Sequence, residues 1–427
     1  MPKIIAQQCA ELQVLSILSG ICYNEKKTDF PFHFFRERRR SMTLPLPPVL
    51  FTDVKYRASL AAVQALGKAG YPVYTAQTEA ELQGTPPAFS SVYAKGVFLV
   101  PGSCYDVEYP ARLAEICNSI RAEKEQVPVL FPIGAATLSQ VAGHSEELAS
   151  TARFLISPPE VLDRANDKRA VAELAQTLNI PIPEEFDCRE DRLPPRFPVV
   201  IKPRCGEKLG LHAEERYCKV YQESDFAAAY SKMARFDPEP VVQELLTGDG
   251  VGVSAVMDQN SRPVSVVCHR RIREYPIEGG PSACCESFWD GTLVRYAVEL
   301  LQALHFVGIA MVEFKDGKLL EINPRVWGSF PLTEKCGSPF SLRYVQAASG
   351  NAAAVCEGPE YKEGIRMRFL LNDTLACLSY LCHGQPGKAL SGLTEPFRPK
   401  SKEALFSWRD PKPFFLYLKN TLTKRGD

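Results

Sequence analysis

Several features that would settle the class of this chain at a glance are missing from it. Its 427 residues include 14 cysteines, yet no two are spaced Cys-x-x-Cys, which argues against a zinc ribbon or a thioredoxin-like motif. Neither sign of charge is in excess, with 50 Lys plus Arg against 50 Asp plus Glu. No global basic field therefore speaks for nucleic acid, and no acidic tail for disorder. No apolar run reaches the length of a transmembrane helix. Leu12 to Cys22 is apolar but short, with little positive charge before it and no small-residue cleavage pattern after it, so it reads poorly as a signal peptide.

What is there is ordinary for a globular protein: 45% hydrophobic and 23% charged residues. The length exceeds what one hydrophobic core supports, so two or three subdomains are expected. Cysteines such as Cys117 and Cys268 lie in apolar stretches and read as small buried hydrophobes of a reducing, cytoplasmic setting. Residues 1–47 read as an extension outside the main fold. Their one basic run, Arg36 to Arg40, is short and interrupted by Glu37, which favours a solvated segment over a nucleic-acid or membrane-surface patch.

Regular alternation begins at Pro48. Val49-Leu50-Phe51 reads as a strand, Ser59 to Leu66 as an amphipathic helix ending near Gly70, and Tyr71 to Tyr74 as a second strand. The cycle repeats with a strand at Gly96 to Val100, a helix at Ala111 to Arg121 and a strand at Val127 to Phe131. Such alternation implies an α/β, Rossmann-like domain with a parallel sheet, here placed at 48–160. No Gly-x-Gly-x-x-Gly follows its first strand, which weakens a dinucleotide reading. Helices are expected from Ser157 to Arg164 and Lys168 to Leu178, then strands and hairpins from Pro198, with helices at Asp225 to Arg235 and Leu293 to His305. This α+β region is placed at 161–350. A tail at 351–427 ends in Phe414 to Leu418, an aromatic cluster expected to pack on the body rather than on a membrane.

The richest segment runs from Ala310 to Arg325. Asp316-Gly317 signals a hairpin turn, and two registers are open. A two-residue turn would pair Glu313 with Leu320 and put carboxylates on both faces. A three-residue turn, Asp316 to Lys318, would pair Glu313 with Glu321, Val312 with Ile322 and Phe314 with Leu320. It leaves one apolar face and one face bearing Glu313, Glu321 and Asn323, so it is the register expected. Opposed carboxylates repel, and a hard divalent cation held by carboxylate and amide oxygens would offset that. The set suits Mg²⁺ or Mn²⁺ clamping a triphosphate, with Arg325 beside it to steady charge on a transferred phosphoryl group. A solvated hairpin face is the plain alternative.

Phe197 to Pro203 reads as a buried strand delivering Lys202, a compact cation suited to phosphate oxygens. The loop after it, Arg204 to Gly210, contains two glycines but no Gly-x-x-x-x-Gly-Lys-Ser/Thr, so it is not a P-loop. Val241 to Leu246 is another apolar strand, turned by Thr247 to Gly250.

Lys168, Lys202, Gln243-Glu244-Leu245-Leu246, Glu313 and Glu321-Ile322-Asn323-Pro324-Arg325, in that order, resemble the ATP-grasp superfamily. The likeness is to the carboxylate–amine ligase and carboligase branch related to biotin carboxylase and the carbamoyl-phosphate synthase large chain. It covers roughly 48 to 350 and implies a Rossmann-like domain followed by a two-lobed ATP-grasp domain. By this resemblance Lys168 and Lys202 would bind ATP phosphates, and Gln243, Glu244, Leu245 and Leu246 would form the hinge holding adenine. Glu244 and Asp249 would meet the adenine amine or ribose. Glu313, Glu321 and Asn323 would hold magnesium, and Arg325 would face an acyl phosphate or a substrate carboxylate. Glu207-Lys208 departs from the glycine-rich lid of many members.

His269 to Pro276 then supplies three basic side chains on one strand. Alternation places His269, Arg271 and Arg273 on one face, where arginines suit a carboxylate or phosphate. A surface basic strand fits the alternation equally well. The Gly279 to Ser282 turn resembles the branch's substrate loop, making Ser282 a further substrate candidate. Cys284-Cys285 lines the site or merely packs, since adjacent cysteines are poorly placed for a disulfide. The expected activity is ATP-dependent activation of a small-molecule carboxylate as an acyl phosphate, captured by an amine, with Arg271 and Arg325 as catalytic groups. Bicarbonate-using carboligation and a non-catalytic ATP-binding regulatory module are the rivals. Neither nucleic acid nor a membrane is an expected partner; a homodimer is compatible with the pattern.

Overall fold

The computed structural model describes residues 45–82, 84–189, 191–205, 215–277, 279–351 and 355–423. The extension up to residue 44, the centre of the loop after Lys202 and Glu278 lie outside them.

Chain order dictates the first layer. Strands β1 (Val49–Phe51), β2 (Val73–Thr78), β3 (Ala94–Val100) and β4 (Val129–Phe131) form a parallel sheet in the order β3-β2-β1-β4. β1, β2 and β4 are buried throughout, as expected of parallel strands covered on both faces, whereas edge strand β3 alternates. Helix Arg57–Lys68 buries Leu60, Val63 and Leu66, and the chain reverses after it at Gly70, whose φ is 90°. The second strand runs further than expected, to Thr78, and the helix after β3 spans Tyr109–Lys124. Periodicity locates elements better than it fixes their ends.

Two further sheets follow, antiparallel except for one parallel edge pair in the larger. The smaller, in the order β6-β5-β7, joins β5 (Val199–Lys202), β6 (Cys218–Val220) and β7 (Val241–Glu244). The larger has seven strands in the order β12-β11-β8-β9-β10-β13-β14. They are β8 (Gly250–Met257), β9 (Pro263–Glu274), β10 (Ser282–Phe288), β11 (Gly308–Lys315), β12 (Lys318–Asn323), β13 (Arg366–Arg368) and β14 (Ser401–Glu403). Helix Gly291–Ala303 lays Leu293, Ala297, Leu300 and Leu301 on one face of this sheet. On the other face one continuous core runs from Val49 and Phe51 of the parallel sheet through Met311 and Trp327 to Phe414. The C-terminal segment thus adds two strands to the sheet as well as packing Phe414 on it, while Phe415 stays exposed.

Candidate functional site

The hairpin β11–β12 is built by two local devices. Asp316 and Gly317 take φ of 51° and 74°, the left-handed pair that a two-residue turn needs and that Asp-Gly supplies cheaply. Lys315 accordingly faces Lys318, and Phe314 faces Leu319. The three-residue turn expected from the sequence, with Phe314 opposite Leu320, is therefore not the one adopted. Register then slips by one residue between Glu313 and Phe314, and beyond the slip Glu313 faces Glu321, Val312 faces Ile322 and Met311 faces Asn323. The bulge absorbs Leu320, so the turn chemistry and the apolar back are both satisfied. Val312, Phe314, Leu319 and Ile322 are buried behind the hairpin, and Leu320 lies on the cavity side with Glu321.

The opposed carboxylates are surrounded by cations brought from separate elements. Lys168 opens helix Lys168–Thr177, whose cap is Asp167: its carboxylate accepts from the Arg169 and Ala170 amides at 3.0 and 3.2 Å and from Arg204 Nε at 2.7 Å. That cap aims Lys168 Nζ at Glu321 Oε2, 3.1 Å away. Arg271 Nη2 lies 3.8 Å from Glu313 Oε2, and Asn323 Nδ2 donates to Glu313 Oε1 at 3.1 Å. Burial would raise the Glu321 carboxyl, but Lys168 and Lys202 outweigh it and hold the group at about 2. Glu313 moves the other way, raised by burial and by Glu321 against the pull of Arg271. Lys202, at the end of β5, is lowered to about 8 by burial and by Lys168. Arg325, which donates to the Val326 carbonyl at 2.9 Å, pulls both glutamates down.

Among the described residues no three His, Cys, Asp or Glu side chains converge as metal ligands. The candidate set has two carboxylates and an amide instead. Its donors are hard oxygens once the Asn323 amide turns its oxygen inward, and that suits a cation which keeps waters and phosphates as its other ligands.

Lys202, Arg271, Glu313 and Glu321 border a cavity of about 450 Å³ between the small sheet and the large one. Gln243, Leu245, Leu246 and Asp249 line it with Leu320 of the hairpin, as do Tyr380, Gln385 and Lys388. Glu244 also lines it, but its carboxylate is taken by Lys318 and by the Glu184 amide at 2.9 Å. A larger hollow of about 740 Å³ beside helix Lys168–Thr177 contains neither Glu313 nor Glu321. Tyr380, Gln385 and Lys388 come from the C-terminal helices Leu370–Cys382 and Pro386–Leu393 and the turn between them. Sequence reasoning did not single them out, and no motif marks them; only the fold brings residues so distant in the chain to this wall.

The basic strand β9 departs most from expectation. Arg271 faces Cys285 on β10, but Arg273 faces Cys284, so neighbours on β10 oppose residues two apart on β9. The slip at Ile272 breaks the alternation that would have kept the two arginines on one face. Arg271 reaches Glu313 and also Glu274 at 3.1 Å. Arg273 also borders the cavity, but its guanidinium is engaged: Nε donates to Asp373 at 2.6 Å, and Nη2 lies 3.4 Å from Glu395. All three side chains are nearly or fully buried, which ties this strand into an ion cluster with the C-terminal segment. His269 is buried against Gly252 and 3.1 Å from Ser329 Oγ, and burial lowers it to about 4, so its imidazole is neutral. Ser282 Oγ donates to the Cys284 carbonyl at 3.3 Å and does not line the cavity. Cys284 and Cys285 are free, buried thiols; burial pushes Cys284 up to about 12 and raises Cys285 as well. They pack.

Residues 165–329 match the model of the ATP-grasp domain. A carbamoyl phosphate synthase large chain from Archaeoglobus fulgidus is 29% identical over 226 residues, which span 48% of this chain but only 20% of that protein. In fold, the chain is similar to a biotin carboxylase from Campylobacter jejuni, with a TM-score of 0.56 at 16% identity, covering 75% of this chain and 74% of that one. It is also similar to the biotin carboxylase domain of the Hydrogenobacter thermophilus 2-oxoglutarate carboxylase, solved as a dimer with MgADP and bicarbonate. There the TM-score is 0.55 at 11% identity, covering 74% and 72% of the two chains.

Proposed function

We propose, from the premise that residues 165–329 are an ATP-grasp domain homologous to the carbamoyl phosphate synthase large chain, that this chain is an ATP-dependent carboxylate–amine ligase. The observation that carries the reading is Glu313 opposite Glu321 in a cavity that also receives Lys202 and Arg271. Two half-buried carboxylates face to face repel unless a cation joins them, and phosphoryl transfer asks a protein mainly for positioning and charge. Mg²⁺ or Mn²⁺ held by Glu313, Glu321 and Asn323 would neutralise the triphosphate and orient it.

This chain's own residues do the rest. Lys202 and Lys168 take phosphate oxygens, Lys168 exchanging its contact with Glu321 for one with the nucleotide. Segment Gln243 to Leu246, with Asp249, receives adenine and ribose; because the Glu244 side chain is engaged by Lys318, backbone groups read the base there. Arg271 holds the substrate carboxylate, and Arg325 the phosphoryl group as its charge shifts. A carboxylate oxygen attacks the γ-phosphorus, the bond to the β–γ bridging oxygen breaks, and ADP departs. The amine lone pair then forms the C–N bond as inorganic phosphate leaves, and the nitrogen gives up a proton.

Screening ADP release over pairs of carboxylic acids and amines, with and without bicarbonate, tests the reading. ADP release that needs both an acid and an amine is expected. Turnover that needs bicarbonate and no organic acid would make the chain a carboligase instead. Tight ATP binding with no turnover for any pair would make it a regulatory module.

A further inference from the structure

The turn that carries the acidic hairpin also grips the segment proposed to hold the nucleobase. Asp316 is exposed at the tip, yet its Oδ2 accepts from the Thr247 and Gly248 amides at 3.2 and 3.1 Å. Lys318, on the other side of the turn, is in contact with the Glu244 carboxylate. From the opposite side the same segment is tied to the small lobe: the Glu244 amide donates to the Glu184 carbonyl at 3.0 Å, and that of Leu245 to the Pro198 carbonyl at 3.2 Å. Residues 244–248 are therefore held at both edges, and the outer grip belongs to the hairpin bearing Glu313 and Glu321. The fit is close. A Cβ added to Gly248 would stand 1.7 Å from Asp316 Oδ1, so only glycine leaves room for the carboxylate.

We infer that Asp316 and Lys318 are positioning residues for the nucleotide, clamping segment 244–248 so that the base wall and the acidic face move as one piece. The inference rests on the nucleotide reading given above. A carboxylate accepting two amide hydrogens is a strong local tie. Losing it frees the base wall but leaves Lys202, Glu313 and Glu321 in place. The signature is a ligand-dependent loss: affinity falls for ligands with a base and not for a bare polyphosphate chain.

Titration calorimetry of Mg·ATP and of Mg·tripolyphosphate into the whole chain and its variants tests this. Asp316→Ala is expected to weaken Mg·ATP about tenfold, the equivalent of one charge-assisted hydrogen bond, and to leave Mg·tripolyphosphate unchanged. Gly248→Ala, which displaces the carboxylate without altering it, should do the same, and the double variant should be no worse than either single one. Asp316→Asn keeps a carbonyl acceptor and the turn residue; it should recover most of the affinity, and it serves where the alanine variant folds poorly. Equal weakening of both ligands, or fully additive losses in the double variant, would overturn the clamp. Mg·ATP binding unaffected by Asp316→Ala would overturn the clamp alone, whereas no ATP binding by the wild-type chain would overturn the nucleotide reading with it.

Discussion

The acidic hairpin contains one single-residue slip, and the ladder of the basic strand β9 with β10 contains two that offset each other, at Ile272 and at Ala283; their consequences are opposite. In β11–β12 the extra residue is Leu320, and it brings Glu313 and Glu321 face to face after a turn that would otherwise have separated them. In β9 the slip at Ile272 drives apart two arginines that alternation would have kept together, sending Arg271 to Glu313 and Arg273 to Asp373. Both follow from one rule: a strand has period two, so an inserted residue exchanges faces until a second one on the partner strand compensates it. Charge pattern alone does not reveal which way a slip will act. Burial on both faces does, since Leu319 and Ile322 must enter one core while Arg273 meets Asp373 and Glu395 in another region.

The two arginines give the largest contrast. Arg273→Ala takes one guanidinium from buried Asp373 and Glu395, which keep Arg368 at 3.1 Å and Arg366 at 3.0 Å, and a loss of about 2–4 kcal/mol in unfolding free energy is expected by denaturant titration. Arg271→Ala should leave stability within about 1 kcal/mol but lower kcat/KM for ADP release about 100-fold. A catalytic defect in Arg273→Ala that exceeds its folding defect would break the comparison.

The hairpin offers a smaller contrast between neighbours. Leu319→Ala removes a core side chain and should cost about 2–5 kcal/mol. Leu320→Ala should barely alter stability, while raising the KM for ATP several-fold through lost contact in the cavity. Equal melting shifts for the two variants would place both leucines in the core and remove the bulge from the account.

The smallest effect concerns pH. Lys202 is lowered to about 8 in the free chain, and phosphate oxygens need its charged form. Below that value the ammonium is present; as pH rises through it the charge is lost, so ATP affinity should fall above pH 8 by at most about tenfold per unit. Lys202→Arg, charged throughout this range, should flatten the profile measured by equilibrium binding. An unchanged bend in that variant would assign the titration to another group.

Much of this was legible in the chain. Asp316-Gly317 announces the turn, and sorting Glu313, Glu321 and Asn323 from Val312, Phe314 and Ile322 reveals the acidic face even though the turn length was misjudged. The strand–helix alternation after Pro48 gives the parallel sheet, and the spacing of Leu293, Ala297, Leu300 and Leu301 gives the helix on the large sheet. What stayed hidden depends on partners remote in sequence. Arg-Met-Arg of β13 and Ser-Lys-Glu of β14 have no apolar period and become strands only because β10 offers an edge. Tyr380, Gln385 and Lys388 reach the cavity only through that docking.

Glu313 and Glu321 are proposed jointly to hold the cation that accompanies the nucleotide. Mn²⁺ electron paramagnetic resonance, titrated in the presence of a non-hydrolysable ATP analogue, tests it most directly. The wild-type chain should take up Mn²⁺ with the nucleotide, and Glu321→Gln and Glu313→Gln should each lose that binding while keeping the wild-type fold. Mn²⁺ held equally well by both variants would contradict the account.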